Sequence, residues 1–225
     1  MSAEDTALRR TFPVEGEPVL RYTLHERLCH WFAGLTYLYL LMSGLALYSP
    51  YLYWMAAVLG GGPTIRFWHP WVGLLFAVAV VWMHTIWRGE MRTTDADRAW
   101  NRNVMKYIEN RDEELPPVGR FNPGQKQFYW AMFFGMVLLL MSGIVMWSPE
   151  VVPAGLRALR PWAVILHEIG ALVTIGAFII HVYMGLFVVP GGFRAIVHGY
   201  VSRGWARAHH RLWYERVANQ PTADK

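Results

Sequence analysis

Apolar residues are concentrated in four long segments of the chain, and polar and charged residues separate these segments. A helix needs about 20 mostly apolar residues to cross the hydrocarbon core of a bilayer. Four segments meet that length, at about residues 28–48, 69–88, 127–147 and 163–189. We therefore predict an all-α integral membrane protein, a four-transmembrane-helix bundle. Its predicted parts are a polar arm (1–27), a transmembrane domain (28–193) and a basic tail (194–225).

Lysine and arginine are unevenly distributed among the segments outside the predicted helices. The N-terminal arm has four, the loop between the second and third helices eight and the tail six, whereas the other two loops together have three. Because basic loops tend to stay in the cytoplasm, this pattern predicts that both termini are cytoplasmic. The net charge of +5 therefore reflects membrane topology, and we expect no nucleic acid as a partner.

The only cysteine, Cys29, limits the redox chemistry of the chain. A single cysteine excludes an intrachain disulfide, a cysteine-ligated iron–sulfur cluster and covalent haem attachment through Cys-x-x-Cys-His. Any haem must therefore be held without a covalent bond to the protein.

A short motif recurs along the chain. The sequence Leu-Met-Ser-Gly at 41–44 ends the first apolar segment and returns at 140–143, where it ends the third. His69 and His167 then open the second and fourth predicted helices at nearly the same offset. This pattern indicates two related helical hairpins.

Histidines inside the apolar segments are the most informative feature for function. His167 and His181 lie fourteen residues apart, almost four helical turns, so both project from nearly the same face, roughly 21 Å apart at 1.5 Å per residue. The predicted topology places His69 and His167 toward the outer side, and His30, His84 and His181 toward the cytoplasm. An imidazole within lipid must be neutral, paired or metal-bound. The arrangement predicts two stacked sites.

Glycines distinguish among the histidines, because a flat macrocycle approaches a helix only where side chains are absent. Four histidines have a glycine three or four residues later, in the pairs His30–Gly34, His69–Gly73, His167–Gly170 and His181–Gly185. His84 is instead followed by Arg88. We therefore predict the pairs His69/His167 and His30/His181, and leave the role of His84 uncertain. Such glycines are also common helix-packing residues, and a lone membrane histidine is often simply hydrogen-bonded.

The number of ligands favours haem over zinc. Two imidazoles in each layer do not complete a four-coordinate zinc site, whereas a porphyrin supplies four nitrogens and needs two axial ligands. Glu168 adjoins His167 but points about 100° away around the helix. We predict two b haems, each with both axial positions filled, which carry electrons and bind no substrate at iron.

Six segments of the chain, in this order, resemble the gamma subunit (cytochrome b subunit) of respiratory membrane-bound formate dehydrogenase. They are Cys29-His30-Trp31, His69-Pro70, Asn122-Pro123-Gly124-Gln125-Lys126, Leu166-His167, His181-Val182-Tyr183-Met184 and the tail segment VSRGWARAHH at 201–210. The resemblance extends from about Arg27 to Glu215. Any one segment would be weak, but the combination is specific.

The resemblance implies a multi-pass protein of the bacterial inner membrane that carries electrons within an oxidoreductase complex. Electrons would come from a periplasmic iron–sulfur beta subunit, pass two b haems and reduce a quinone, menaquinone or ubiquinone, near the cytoplasmic side. A catalytic alpha subunit with molybdenum or tungsten would oxidise formate, so no catalytic residue is expected in this chain. Membrane lipids are further partners, and the resemblance allows a higher oligomer of the complex.

The same resemblance assigns roles to individual residues. It implies that His69 and His167 are the axial ligands of the periplasmic-side haem, and His30 and His181 those of the cytoplasmic-side haem. This agrees with the depth argument. It assigns no role to His84, for which a part in quinone protonation stays open.

The loop before the third predicted helix matches the quinone site of the family. The resemblance implies that Asn122, Gly124 and Gln125 bind quinone together with His181. Pro123 departs from the family pattern, which would stiffen the loop without removing its polar groups. Without the resemblance, this loop would be interpreted as a turn before a helix.

Other functions of the same broad class stay open from the sequence. Cytochrome b subunits of membrane-bound hydrogenases and of thiosulfate or polysulfide reductases also have bundled b haems. The tail segment and the Asn-Pro-Gly-Gln loop favour formate dehydrogenase. A haem-free membrane anchor would keep the helices and lack the redox chemistry.

Overall fold

The computed structural model describes residues 18–109, 111, 114–147 and 152–218. Most of the predicted N-terminal arm and the end of the predicted tail therefore lie outside the described residues. The elements, in chain order, are β1 (Val19–Leu20), α1 (Leu24–Tyr48), a 3-10 turn (Pro50–Leu52), α2 (Trp54–Val58), α3 (Gly62–Trp87), α4 (Asp95–Asn101), α5 (Val104–Ile108), α6 (Pro123–Met146), α7 (Ala154–Arg157), α8 (Arg160–Tyr183), a π-helical turn (Met184–Val188), α9 (Gly192–His198), β2 (Tyr200–Val201), α10 (Arg203–His209) and α11 (Arg211–Ala218).

Within the part of the chain that the structure describes, four helices are long and apolar enough to cross a membrane: α1, α3, α6 and α8 with its π-helical turn. The prediction of a helical membrane protein with four such helices is therefore confirmed. Each helix begins before the apolar segment that predicted it. A helix continues into polar sequence wherever its main-chain N–H and C=O groups can still form helical hydrogen bonds. His69 and His167 consequently do not open their helices. Each lies seven residues, about two turns, after the helix start.

Residues Leu28–Ile86 and Trp130–Val182 form one compact unit, which we call the helical unit. All four long helices contribute to its apolar core, in which Tyr37, Phe76 and Met136 are buried and Phe178 packs against them. The Tyr37 ring centre lies 5.5 Å from that of Phe76 and 5.0 Å from that of Phe178. Tyr37 is seven residues from His30, and Phe76 seven from His69, so this aromatic layer lies about two turns along the helices from each of these histidines.

The second compact unit, which we call the polar unit, comprises the described residues before Leu28, Trp87–Tyr129 and the chain from Tyr183 onward. In it, β1 pairs antiparallel with β2, with Val19 opposite Val201. The all-α prediction therefore lacked one two-stranded ladder. Hydropathy cannot show strands of two residues that are far apart in the sequence. Arg120 also joins segments of this unit through ion pairs with Glu26 (2.8 Å) and Glu90 (3.0 Å).

Candidate functional site

The structure brings the four predicted haem ligands together as two pairs within the helical unit. The ring centres of His69 and His167 are 6.4 Å apart, and those of His30 and His181 are 6.1 Å apart. All four residues are only partly buried. The partners are those predicted from depth and glycine spacing, whereas their role as ligands stays a prediction.

The separation of the rings fits two axial ligands of one iron. A metal-bound imidazole nitrogen lies about 2.0 Å from the metal and its ring centre about 1.1 Å further, so two opposite ligands place their ring centres about 6.2 Å apart. Both measured separations are close to this distance. Among the residues that the structure describes, no group of three or more His, Cys, Asp and Glu side chains could hold a metal ion. Two-ligand binding of a porphyrin iron therefore suits both pairs.

Two serines fix the orientation of the His69/His167 pair. Ser43 Oγ lies 2.7 Å from Nδ1 of His69, and Ser142 Oγ lies 3.0 Å from Nδ1 of His167. Each hydroxyl also donates to the carbonyl four residues earlier, at 2.7 Å and 2.6 Å. A hydroxyl has one hydrogen, so each serine accepts the second bond from the imidazole Nδ1–H. Nε2 of each histidine is then unprotonated and can bind a metal.

A glycine follows each of these serines and lets the imidazole approach the helix. A Cβ on Gly44 would lie 3.4 Å from Cε1 of His69, and a Cβ on Gly143 would lie 3.4 Å from Cε1 of His167. The repeated Leu-Met-Ser-Gly motif thus contacts a histidine in the same way twice. Sequence reasoning noticed the repeat but missed these contacts. The signal was the nearly equal spacing from serine to histidine, 26 and 25 residues.

The glycines that follow the histidines differ from one another. A Cβ built on Gly34, Gly73 or Gly185 meets no atom within 4 Å, which leaves the helix surface open to a flat group. A Cβ on Gly170 would instead lie 3.1 Å from Leu138 and 3.4 Å from Leu139. The interpretation of Gly170 as room for a macrocycle is therefore wrong, because this glycine serves helix packing.

The ring of His84 packs against aromatic residues. Its ring centre lies 4.7 Å from that of Phe133 and 6.0 Å from that of Trp130. The structure thus places His84 beside aromatic residues of α6, and its function stays unassigned.

Three of the four predicted quinone residues, Asn122, Gly124 and Gln125, lie at the start of α6 in the polar unit, whereas His181 belongs to the helical unit. Asn122 Oδ1 accepts a hydrogen bond from the Gln125 N–H, and Gln125 Oε1 accepts one from the Asn122 N–H, both at 2.9 Å. This reciprocal pair caps the helix. Both amide oxygens are engaged in it, so the side-chain NH2 groups are the donors suited to a ligand carbonyl. Asn122 Nδ2 already makes a long bond of 3.4 Å to Tyr107 Oη. The quinone role stays a prediction.

A buried ion pair lies on the next turn of α6. Lys126 Nζ is 2.7 Å from Asp97 Oδ2, and the two side chains are 10% and 3% exposed. Burial alone would raise the pKa of Asp97, but hydrogen bonds from Lys126 and Thr94 outweigh it, so the pKa lies below the ordinary value. Sequence reasoning missed this pair. The Thr94-x-x-Asp97 capping pattern was the available signal for Asp97.

Comparison with known proteins supports the resemblance seen in the sequence. A family model described as prokaryotic cytochrome b561 matches residues 21–199. The formate dehydrogenase cytochrome b556(fdo) subunit of Escherichia coli K12 is 34% identical over 202 residues, which are 89% of this chain and 94% of that protein. The cytochrome b556(Fdn) subunit of its nitrate-inducible formate dehydrogenase is 27% identical over 199 residues, 88% and 91% of the two chains.

A third relative extends the similarity beyond Escherichia coli. The formate dehydrogenase cytochrome b556 subunit of Haemophilus influenzae is 28% identical over 196 residues, 87% of this chain and 82% of that protein. The resemblance to the cytochrome b subunit of formate dehydrogenase is confirmed. This chain belongs to the prokaryotic cytochrome b561 family, together with the formate dehydrogenase cytochrome b subunits that it resembles.

Proposed function

We propose that this chain is the membrane-anchoring di-haem cytochrome b subunit of a formate dehydrogenase in a bacterial inner membrane. The observation that carries the proposal is the pair of histidine sites, with ring centres 6.1 Å and 6.4 Å apart. The family match and the named relatives support a cytochrome b function and a formate dehydrogenase complex.

Each histidine pair holds one b haem in this proposal. His69 and His167 bind the haem nearer the periplasm, and His30 and His181 the haem nearer the cytoplasm, with both termini cytoplasmic as the basic segments indicate. The bound haems supply one-electron iron couples between an iron–sulfur partner subunit and a quinone. Inward movement of an electron works against the membrane potential, at roughly 2.3 kcal/mol per 100 mV for a full crossing.

Menaquinone or ubiquinone is the acceptor in this proposal. The two amide NH2 groups of Asn122 and Gln125 are donors suited to a quinone carbonyl, and Gly124 between them is only partly buried. A part for His181 in quinone binding remains a prediction. Formate oxidation belongs to a partner catalytic subunit with molybdenum or tungsten.

Haem content of the purified complex tests the proposal. A pyridine haemochrome assay should give two b haems per chain. Alanine at any one of the four paired histidines should remove one haem, while the matched variant His84→Ala should keep both. Fewer than two haems in the unaltered chain, or loss of one in His84→Ala, would contradict these sites.

The subunits that copurify with the chain test the formate part separately. A catalytic subunit that reduces the haems with formate supports the proposal. A hydrogenase, or a thiosulfate or polysulfide reductase, in its place would leave the di-haem sites intact and refute the assignment to formate dehydrogenase.

A further inference from the structure

We infer that Ser43 and Ser142 are positioning residues that hold His69 and His167 in the metal-binding tautomer and lower the reduction potential of the haem bound there relative to the second haem. The inference rests on the proposed di-haem function. It also predicts which of the two haems has the lower reduction potential. The histidine pairs alone do not indicate this.

Both serines are enclosed by the protein, with 0% of Ser43 and 5% of Ser142 exposed. Their hydrogen bonds therefore do not compete with bulk water. Each serine is the middle of a chain from imidazole N–H to hydroxyl to main-chain carbonyl. Because the hydroxyl donates to a carbonyl, its oxygen becomes a better acceptor for the imidazole N–H.

An acceptor on Nδ1–H has two effects on a histidine that binds metal through Nε2. It fixes the tautomer and the ring orientation, and it makes the ligating nitrogen more basic. A more basic ligand stabilises ferric iron more than ferrous iron. The reduction potential of a haem between His69 and His167 is therefore lowered twice, once by each serine.

The other histidine pair differs at one ligand. Nδ1 of His30 is buried and has no hydrogen-bond partner among the described residues. The nearest comparable hydroxyl on the same helix, that of Thr36, donates to the carbonyls of Phe32 and Ala33. His30 thus lacks the acceptor that both ligands of the first site have.

The difference suits inward electron flow. Electrons that arrive at the His69/His167 haem meet the lower potential first and move to the higher potential at the His30/His181 haem. That chemical driving force opposes the electrical cost of moving negative charge toward the negative side of the membrane.

A redox titration of the whole complex, followed in the optical bands of both haems, tests the inference. Ser43→Ala and Ser142→Ala should each raise the potential of one haem and leave the other unchanged. Removing one such partner typically lowers metal affinity or activity about 10- to 100-fold. A tenfold loss of stabilisation of ferric haem relative to ferrous haem would raise the potential by about 59 mV for a one-electron couple. Ser43→Thr and Ser142→Thr keep the hydroxyl and should restore the original potential.

Thr36→Val is the matched control, because the Thr36 hydroxyl donates to carbonyls of its own helix and, among the described residues, makes no hydrogen bond to a histidine. It should leave both potentials unchanged. If an alanine variant loses one haem and the threonine variant regains it, the positioning role is supported. Three results would overturn the inference. They are haem loss that threonine restores at neither site, unchanged reduction potentials in both alanine variants, and an equal shift in the potentials of both haems. A haem count below two in the unaltered chain would instead refute the proposed function.

Discussion

Arg21 Nη2 donates a hydrogen bond to His210 Nε2 at a distance of 2.9 Å, and both side chains are buried in the polar unit. Because arginine only donates, Nε2 of His210 must be the acceptor. The other ring nitrogen, Nδ1, donates to the Gly119 carbonyl at 2.8 Å. The imidazole is therefore neutral in the folded chain. Burial lowers the pKa of His210 well below its ordinary value, and the neighbouring Arg21 charge lowers it further.

Acid should loosen the segment that contains His210. The unfolded pKa of histidine, about 6.5, lies above the folded pKa. The folded segment therefore keeps its full stability above about pH 6.5 and loses stability as the pH falls below that value. The loss should be about 1.4 kcal/mol for each pH unit between the two pKa values. Limited proteolysis of the C-terminal segment in the complex, between about pH 7.5 and 5.5, measures it. His210→Gln keeps one donor and one acceptor and does not titrate, so an equal acid response of this variant would contradict the prediction.

Removal of one partner of the Lys126–Asp97 ion pair should strongly destabilise the folded protein. Lys126→Met leaves an unpaired carboxylate in a buried site, which typically costs about 3–5 kcal/mol. We expect a marked drop in the thermal unfolding temperature of the purified complex. Asp95 and Arg98 provide the control, because they form a 2.9 Å ion pair in the same segment but are 95% and 69% exposed. Arg98→Met should change stability by less than about 1 kcal/mol, and similar effects of both variants would refute the argument.

Much of the fold and part of the site could be predicted because the responsible signals are local. Apolar length alone gave four membrane helices, and spacing along α8 placed His167 and His181 in two layers. The helix starts were missed because hydropathy detects the membrane segment and not the helix. The bonds from Ser43 and Ser142 join residues of different helices, and no local pattern states such a contact. Likewise, Asp97 and Lys126 are 29 residues apart.

A large side chain beside a paired histidine should prevent the adjacent haem from binding. Gly34 and Gly73 each follow a predicted ligand by four residues, and a Cβ at either position meets no atom within 4 Å. Gly34→Leu should therefore reduce the content of the His30/His181 haem, and Gly73→Leu that of the His69/His167 haem. Haem assay combined with redox titration identifies which haem is lost.

Gly176 provides the matched control for these two glycines. It is exposed, lies in α8, and a Cβ there also meets no atom within 4 Å, but it follows no histidine by four residues. Gly176→Leu should keep both haems. Equal haem loss in all three variants would show that leucine disturbs the helices in general and that the open faces of Gly34 and Gly73 are not specific to haem.

Substitutions at Asn122 and Gln125 can separate helix capping from quinone binding. Asn122→Asp and Gln125→Glu keep the oxygen that accepts in the capping pair but remove the NH2 donor offered to a quinone carbonyl. A lost hydrogen bond of about 1.4 kcal/mol corresponds to a tenfold effect, so the KM for quinone should rise about tenfold. Thermal stability should stay nearly constant, since aspartate caps helices as well as asparagine does.

Asn122→Ala supplies the comparison for that experiment, because it removes the cap and the donor together and should also cost about 1 kcal/mol of stability. Reduction of the haems by formate, measured without quinone, should be the same in all these variants, because the change lies only at the acceptor. An unchanged KM for quinone in both Asn122→Asp and Gln125→Glu would leave the loop with a capping role alone and would move the quinone site elsewhere in the complex.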